Sequence, residues 1–461
     1  MNKLHAILTV LFVCLLGLAG CSGSNNMTPP PGSATVSLTA RDTPPAGAGI
    51  LSFEVTLTGA ILNPGAADLL NGKTPRIEVE QLETDAAFLN TAKVAPGTFT
   101  SISLTFSNPE VTFQNNTGAP LAGCAVGAVC EIKPTGPLTS MFTFPGSGIA
   151  IGPNSGMGLQ ADINPNVILQ ADMSVNFSLS GATTVTQLAV QPNDELEELD
   201  DIRGTVQNLD TTNKKFDLKT IAGTFTITTN ANTEFEFGAC AANNFTCLAN
   251  GLVVEVDAML QTSGAFLAKK IELEDQVEDD EIEGVISKID DATHFELAVL
   301  DELHNITNVS VGNPVMVTLN GAHFEVDADA LTVPSALLSA FDGATDTSQL
   351  IPGQVVEIRL TAPANPGPPI TVTTDRVRLR MTQFTAQVSI TGSPNFTVNN
   401  LPSFFTPASS IHVQTQSATE FEGVAGASAL AIGDTVSLKG LLFAGATPAT
   451  PELIAAKVRK R

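Results

Sequence analysis

The amino-acid sequence predicts an all-β protein, in which an N-terminal antiparallel β-sandwich precedes three copies of one smaller β-domain. Three observations support this prediction: short segments alternate between polar and apolar residues, turn-forming residues separate them, and one pattern recurs three times. Alternation with a period of two places apolar side chains on one face of a strand, as in an antiparallel sheet with one buried side. The 37 Gly and 28 Pro among 461 residues favour short strands and turns over long helices.

The N-terminal segment combines a charged residue, Lys3, with an apolar run over residues 6–18 that ends at Leu18-Ala19-Gly20-Cys21. The run is shorter than the roughly 20 residues that a membrane-spanning helix needs. The pattern resembles a bacterial lipoprotein signal peptide, which implies that residues 1–20 are removed and that Cys21 is acylated. An ordinary signal peptide and a retained anchor are the alternatives. Residues 21–33 then form a lipidated cysteine and a flexible Pro/Gly-rich tether.

Four further cysteines form two close pairs, Cys124 with Cys130 and Cys240 with Cys247. In an exported protein, an even set of close pairs predicts disulfide bonds. Each bond closes a short loop and is expected to contribute about 2 kcal/mol to stability. A metal site is the alternative, but no histidine lies nearby and the spacing differs from that of zinc knuckles.

Residues 34–192 show the alternation expected of a β-sandwich. Phe53, Val55 and Leu57 alternate with polar neighbours, and residues 102–106 and 175–179 repeat the pattern. Pro-Gly turns separate these segments at spacings that suit a sandwich better than a single open sheet.

Two acidic runs, residues 194–201 and 272–283, follow the sandwich about 80 residues apart. We interpret both as solvated junctions between domains, because runs of like charge are usually exposed. A calcium site is the alternative interpretation, since calcium prefers several hard oxygen ligands from one loop. The candidate ligands are Asp279, Asp280, Glu281 and Glu283, although EF-hand spacing is absent.

The rest of the chain repeats itself. The matching segments are Leu248–Val256, Leu350–Ile358 and Leu430–Leu438, preceded by Thr233–Glu236, His323–Glu325 and Thr419–Glu422. Each copy closes on a strand with basic residues, at 268–273, 375–379 and 455–459. This self-similarity predicts three domains, at 200–274, 281–381 and 384–461. The middle copy carries an insert in which Pro334–Phe341, followed by Gly343, predicts a short helix.

Two families are similar to these regions. Residues 34–190 resemble the domain of unknown function DUF4382 through Val36–Pro44, Leu51–Leu57 and Ala95–Leu104, with Asp42-Thr43-Pro44 departing from its usual Asp-Ala-Pro. Residues 200–461 resemble three copies of the domain of unknown function DUF5666. The second resemblance implies small closed β-barrels of the oligonucleotide-binding (OB) topology. Neither family implies a catalytic residue, and both occur in bacterial lipoproteins.

Charge argues against a nucleic-acid partner. The net charge is −25, and removal of Lys3 with the signal makes it −26. Such a chain is repelled by phosphates, whose binding depends on Lys and Arg. The basic tail Lys457–Arg461 is a local exception, which either touches anionic lipid or glycan or provides solvated charges at the end of an edge strand.

No catalytic motif is evident. Asn71–Thr74 resembles the end of a phosphate loop, but Ala67 stands where the motif needs Gly, so a hairpin turn is expected. His294, His304 and the later histidines do not lie at metal-ligand spacing, and no nucleophile elbow is present. We therefore predict no catalysis and no cofactor, with calcium as the open alternative.

The sequence predicts a tethered, acidic β-rod in the cell envelope with a binding or structural role. Its expected partners are the membrane, through the acyl chains, and an envelope or extracellular macromolecule. Ser22 rather than Asp after Cys21 favours the outer membrane, on either face. The alternatives are a surface adhesin or capture protein for extracellular polymer, and a degradative enzyme with an unrecognised site.

Overall fold

The structure, a computed structural model, describes residues 32–43, 49–220, 223–238, 240, 242–273, 280–302, 306–328, 331–445 and 450–461. The described part of the chain confirms the all-β prediction, because it consists mainly of strands with two short α-helices. Six single-turn 3₁₀ helices lie at Glu80–Leu82, Pro192–Asp194, Phe245–Cys247, Thr347–Gln349, Ser403–Phe405 and Ala427–Ala429.

Two sheets packed around one apolar core form the N-terminal sandwich. Its elements are β1 (Ala34–Asp42), β2 (Ile50–Asn63), β3 (Ala67–Asp68), β4 (Arg76–Glu78), β5 (Ala87–Val94), β6 (Gly97–Phe99), β7 (Ser101–Gln114), β8 (Val129–Ile132), β9 (Thr139–Thr143), β10 (Ile149–Ile151), β11 (Gly156–Ile163), α1 (Pro165–Ile168) and β12 (Thr183–Gln187). The first sheet has the order β12-β11-β1-β5. The second has the order β3-β2-β7-β8, with β4 beside β2 and β9 beside β7.

One strand pair of the sandwich departs from the antiparallel prediction. Strands β1 and β11 run parallel over Thr35–Asp42 and Gly156–Ile163. Parallel neighbours require a long crossover connection, and here most of the domain lies between the two strands. Local alternation predicts a strand but not the direction of its partner, so the sequence did not reveal this pair.

Three small barrels follow the sandwich. The first contains β13 (Glu195–Asp210), β14 (Lys215–Thr220), β15 (Gly223–Thr228), β16 (Glu234–Glu236), β17 (Val253–Gln261) and β18 (Phe266–Leu273). The second contains β19 (Glu281–Ile289), β20 (His294–Glu302), β21 (Pro314–Val326), α2 (Ser335–Asp342), β22 (Val355–Leu360) and β23 (Ile370–Leu379). The third contains β24 (Met381–Ile390), β25 (Asn395–Asn399), β26 (Ser410–Gln414), β27 (Glu420–Glu422), β28 (Thr435–Phe443) and β29 (Glu452–Lys460).

All three barrels share one topology. Among the described residues, the short strands β16 and β27 pair only with the last strand of their barrel, and the other five strands of each barrel form a ring. In that ring the first strand pairs with the second and the fourth, and the third strand runs parallel to the fifth, which closes it. This order is that of the OB barrel, so the predicted OB-like architecture is confirmed. The predicted insert helix is also present as α2, whose Phe341 packs edge-on against Phe324 and Phe443 at ring-centre distances of 5.6 and 6.3 Å.

Apolar contacts cross the domain boundaries. Phe88 of the sandwich packs edge-on against Phe225 and Phe266 of the first barrel, at ring-centre distances of 5.2 and 4.8 Å. Leu441 and Phe443 of the third barrel belong to the core of the second. Leu51 of the sandwich also belongs to the core of the third barrel. This contact contradicts the expected rod, because domains arranged in a row would contact only their neighbours along the chain.

Candidate functional site: ionic junctions and an interdomain groove

Each barrel carries the same ionic ladder on its outer surface. Glutamates of β16, of the end of β21 and of β27 lie in parallel ladders with the last strand of their barrel, close to its basic side chains. The carboxylate–cation distances are 3.3 Å for Glu236–Lys270, 2.7 Å for Glu325–Arg378 and 3.3 Å for Glu422–Arg459. The Glu-Phe-Glu motif and the basic closing strands, which identified the repeats in the sequence, therefore meet in space.

Arg41 of the sandwich joins two barrels. Its guanidinium contacts Glu197 of β13 and, at 2.8 Å, Glu422 of β27. Only 8% of the Arg41 side chain is exposed. Burial alone would lower the pKa of Arg41. The nearby carboxylates of Glu197 and Glu422 have the larger effect, so the pKa is raised above its ordinary value. The charged arginine is thus fixed at the meeting point of three domains.

Lys457 of β29 occupies a similar position beside Arg41. Its ammonium lies 3.0 Å from Asp200 of the first barrel and 3.7 Å from Asp85 of the sandwich. Lys439 contacts the same Asp85 at 3.1 Å. Burial opposes the charge of Lys457, but the surrounding carboxylates raise its pKa overall. We call these contacts, together with those of Arg41, the sandwich junction.

Buried acids line the same interface. The Glu83 carboxylate accepts a 2.8 Å hydrogen bond from Thr385, and the Glu83 carbonyl accepts one of 2.6 Å from Arg461. Burial raises the pKa of Glu83 to about 7. Asp42 is fully buried, and neither of its carboxylate oxygens accepts a hydrogen bond from the described residues. Burial and the nearby Glu80 and Glu83 raise the pKa of Asp42 well above its ordinary value.

A second ionic junction connects the first and second barrels. Arg380, which follows β23, lies 3.3 Å from Glu255 of the first barrel and 3.6 Å from Glu283 of the second. Arg203 of the first barrel lies 3.7 Å from the buried Glu357 of the second. Burial raises the pKa of Glu283 to about 7, against the opposing effect of Arg380. We call this set the barrel junction.

A groove of about 380 Å³ lies where the sandwich meets the second and third barrels. Gln114 and Asn116 line it from the sandwich, and Pro352, Phe405 and Pro407 line it from the barrels. A shallower polar groove on the first barrel is lined by Thr205, Val206, Gln207, Asn208, Asn250 and Gly251. Among the described residues that line these two grooves, no cluster of catalytic groups is formed.

The predicted site residues are placed as follows. Cys21 and Asp279 lie outside the described residues. Glu281 contacts Arg376, and Glu283 contacts Arg380, so two of the calcium candidates face arginines. The backbone carbonyl of Asp280 accepts a hydrogen bond from Leu360. Within the described ranges, no group of three or more His, Cys, Asp or Glu side chains is arranged to hold a metal ion. Calcium binding stays a prediction.

The interpretation of the first acidic run as a solvated junction is wrong. Residues 195–201 belong to β13, and Glu197 and Asp200 pair with Arg41 and Lys457. Basic side chains from other domains neutralise these carboxylates, which allows their burial. The sequence shows both the acidic run and the basic closing strands, but it does not show that they form ion pairs with each other.

The interpretation of the basic tail is also wrong. Strand β29 is not an edge strand, because it lies between β28 on one side and β26 and β27 on the other. Lys457 and Arg459 are mostly buried in ion pairs. Burial and the neighbouring Arg41 lower the pKa of Arg459 to about 10. The tail is therefore part of the sandwich junction.

Both predicted disulfides are confirmed, at Cys124–Cys130 and Cys240–Cys247. His294 contacts Asp291 at 2.9 Å on the surface, while His323 and His412 lie on separate strands of different barrels. His304 lies outside the described residues. The histidines that the structure describes thus do not converge on one site.

The model of the family described as a domain of unknown function, DUF5666, matches residues 203–272 and 388–449. These segments fall in the first and third barrels. No curated protein sequence matches the chain. None of the helices in the described ranges combines the length and apolar character needed to cross a membrane.

Two solved structures are similar to parts of the chain. One is a single-stranded DNA binding protein from Thermus aquaticus, at 11% identity, with 40% of this chain and 92% of that chain covered and a TM-score of 0.14. The other is a multidomain protein with nucleic acid binding domains from Streptococcus pneumoniae, at 9% identity, with 55% and 72% covered and a TM-score of 0.12.

Proposed function

We propose that this protein is a lipid-anchored protein of the bacterial cell envelope with a non-catalytic binding or structural role. In this proposal Cys21 carries the acyl chains, residues 22–33 form the tether, and the four β-domains act as one rigid body. The proposed location is the outer membrane. The observation that carries the proposal is the sandwich junction, in which Arg41 connects the sandwich to two barrels.

The rigidity follows from the contacts that cross the domain boundaries. If the third barrel moved away, Arg41 would lose Glu422, Asp85 would lose both Lys439 and Lys457, and apolar side chains such as Leu51 would become exposed. Water would rehydrate the separated charges, so the main cost is the exposure of apolar surface, at about 25 cal/mol for each Å². A body held in this way presents fixed surfaces, which suits a scaffold or a receptor better than a flexible linker.

The proposed compartment draws support from the disulfides. Disulfide bonds persist in oxidising compartments outside the cytosol, where a lipobox would direct the chain. The Cys240–Cys247 bond closes the loop that carries the 3₁₀ helix before β17. Export is thus supported by a feature of the chain that is independent of the signal sequence.

We also propose that residues 281–381 are a divergent third copy of DUF5666, and that residues 34–192 are a DUF4382 domain. The same ring of five strands in the second barrel supports the first assignment. Its insert, which contains α2, explains why the sequence is harder to align. The motifs Val36–Pro44 and Leu51–Leu57 support the second assignment.

We propose a protein or glycan partner rather than a nucleic acid. The outward residues of β14 and β15 include Lys215, Asp217, Lys219, Thr224 and Thr226. The phenylalanines of these strands, Phe216 and Phe225, point into the barrel. Nucleic-acid binding on such a face depends on aromatic stacking, which these outward residues do not offer, and the net charge of −25 opposes it.

Metabolic labelling with an alkyne analogue of palmitate tests the proposal. We expect the wild-type protein and Cys14→Ser to be labelled, because Cys14 lies in the signal, and Cys21→Ser to be unlabelled. Equal labelling of Cys21→Ser would contradict the proposal. Protease treatment of intact cells, followed by detection of a C-terminal tag, then separates a surface adhesin from a periplasmic scaffold.

A further inference from the structure

Each barrel contains an equivalent turn before its fourth strand, which we call the glycine turn. Its glycine donates a hydrogen bond to a carbonyl of the first strand in the same barrel. The three bonds, each of 2.8 Å, are Gly251 to Val206, Gly353 to Ile286 and Gly433 to Val388. The glycines have φ values of 94°, 92° and 89°, in the left-handed region that favours glycine. The repeat thus gives each of the three barrels the same turn geometry.

The glycine turn of the second barrel is covered by another part of the chain. A Cβ atom at Gly353 would lie 2.4 Å from a ring carbon of Phe405, so the ring rests directly on the bare glycine. Phe405 and Pro407, which belong to the third barrel, also line the groove beside Pro352. The segment that occupies this surface is a turn with phenylalanine and proline, residues 403–407.

The other two glycine turns are open. A Cβ atom at Gly251 or Gly433 would meet no other atom within 4 Å. In the first barrel the flanking side chains, Asn208 and Asn250, are polar and form hydrogen bonds within the barrel. The open turn of the first barrel therefore has no apolar surface that needs a cover.

The glycine turn of the third barrel is both open and apolar. Ile432 precedes Gly433 and is 71% exposed, while Ile390 at the end of β24 is 61% exposed. Their equivalents in the second barrel, Pro352 and Lys288, line the groove that Phe405 occupies. Because Gly433 bonds to Val388, two residues before Ile390, both isoleucines lie beside the same bare glycine and leave apolar surface uncovered there.

We propose that the glycine turn of the third barrel, formed by Ile390, Ile432 and Gly433, is a docking surface for a partner protein that presents a phenylalanine–proline turn. The chain itself provides the precedent, because residues 403–407 cover the equivalent turn of the second barrel. In a second copy the equivalent segment is already occupied, since its own Phe405 is buried against Gly353. This proposal names a partner for the binding role proposed above, and it therefore rests on that role. It does not depend on acylation.

A peptide of residues 401–408, Leu-Pro-Ser-Phe-Phe-Thr-Pro-Ala, is the probe for this proposal. It is added to the full-length protein in detergent, with isoleucine methyl groups labelled for NMR. We expect the methyl signals of Ile390 and Ile432 to shift saturably, while a peptide with both phenylalanines replaced by alanine causes no shift. Ile432→Asp is expected to weaken binding about tenfold or more.

Asn250→Asp, at the equivalent position of the first barrel, is the matched control and is expected to leave binding unchanged. Because Ile432 is exposed, Ile432→Asp should keep the wild-type unfolding temperature, so lost binding would not reflect lost folding. The proposal is overturned if millimolar peptide leaves both signals unmoved, or if Ile432→Asp binds normally. Self-association, or flotation with phosphatidylglycerol vesicles, that Ile432→Asp abolishes would instead assign the surface to a second copy or to lipid. None of these outcomes bears on acylation of Cys21, which the labelling experiment tests separately.

Discussion

Arg41 shows how much of this architecture depends on one side chain. It lies at the end of the sandwich strand β1, yet its two carboxylate partners come from the first and third barrels. Glu197, one of these partners, has only 10% of its side chain exposed. Without Arg41, the Glu197 charge would remain in a poorly solvated position, where an unpaired carboxylate is costly.

We predict that Arg41→Met destabilises the protein by about 3–5 kcal/mol, because Glu197 and Glu422 lose their shared cation. Denaturant unfolding, followed by circular dichroism, measures the change. Lys133→Ala is the control, since Lys133 forms an ion pair with Glu110 but its side chain is 72% exposed. We expect no measurable change for the control. Equal stability of wild type and Arg41→Met would show that the sandwich junction is energetically neutral.

Glu83 predicts a dependence of stability on pH. Its pKa is raised by burial to about 7 in the folded protein, above the value of 4.5 that it has when exposed. Its contribution is therefore complete below about pH 4.5 and is lost as the pH rises through 7. We expect Glu83→Gln, which keeps an acceptor for Thr385, to reduce the fall in unfolding temperature between pH 5 and pH 8. An unchanged fall in the variant would contradict this assignment.

At the scale of elements, the glycine turns show which constraints are local and which are not. All three glycines were recognisable from the Leu-x-x-Gly repeat, and their positive φ is a property of the turn itself. Only Gly353 also has Phe405 against it, from a segment about 50 residues away. The repeat therefore predicts the turn, but tertiary packing decides what covers it.

We predict that Gly353→Ala costs more stability than Gly433→Ala. Both variants adopt an unfavourable left-handed conformation, at a cost of about 1–2 kcal/mol. Gly353→Ala additionally displaces the Phe405 ring, and such overpacking typically costs about 1–3 kcal/mol more. Chemical unfolding of the two variants side by side measures the difference. Equal losses would mean that Phe405 moves away without cost.

The strands themselves were largely predictable from the sequence, and their neighbours were not. Alternation located strands such as β2 and β7, because burial of one face imposes a period of two. Strand β29 was wrongly assigned to an edge, since its basic residues suggested solvent exposure. Those residues are buried in ion pairs with carboxylates such as Asp85 and Asp200, which lie hundreds of residues earlier in the chain. Local patterns carry no information about such distant partners.

At the scale of the whole molecule, the same argument explains why a rod was expected. Repeats in sequence suggest domains in a row, and acidic runs between them suggest solvated spacers. The structure instead pairs the first acidic run with the sandwich and with the third barrel. The candidate site was missed for the same reason, since each ionic junction takes its residues from at least two domains.

Small-angle X-ray scattering of the four domains, produced without the signal and Cys21 so that no detergent is needed, tests most directly whether they form one body. A compact particle of about 430 folded residues is expected to have a radius of gyration of about 22 Å. Four domains of about 30 Å placed in a row would instead give about 35 Å. We predict a radius of gyration near about 22 Å. Because the ion pairs are buried, we expect it to be the same at about 50 mM and about 500 mM salt. A radius of gyration of about 35 Å would contradict the ionic junctions on which this account depends.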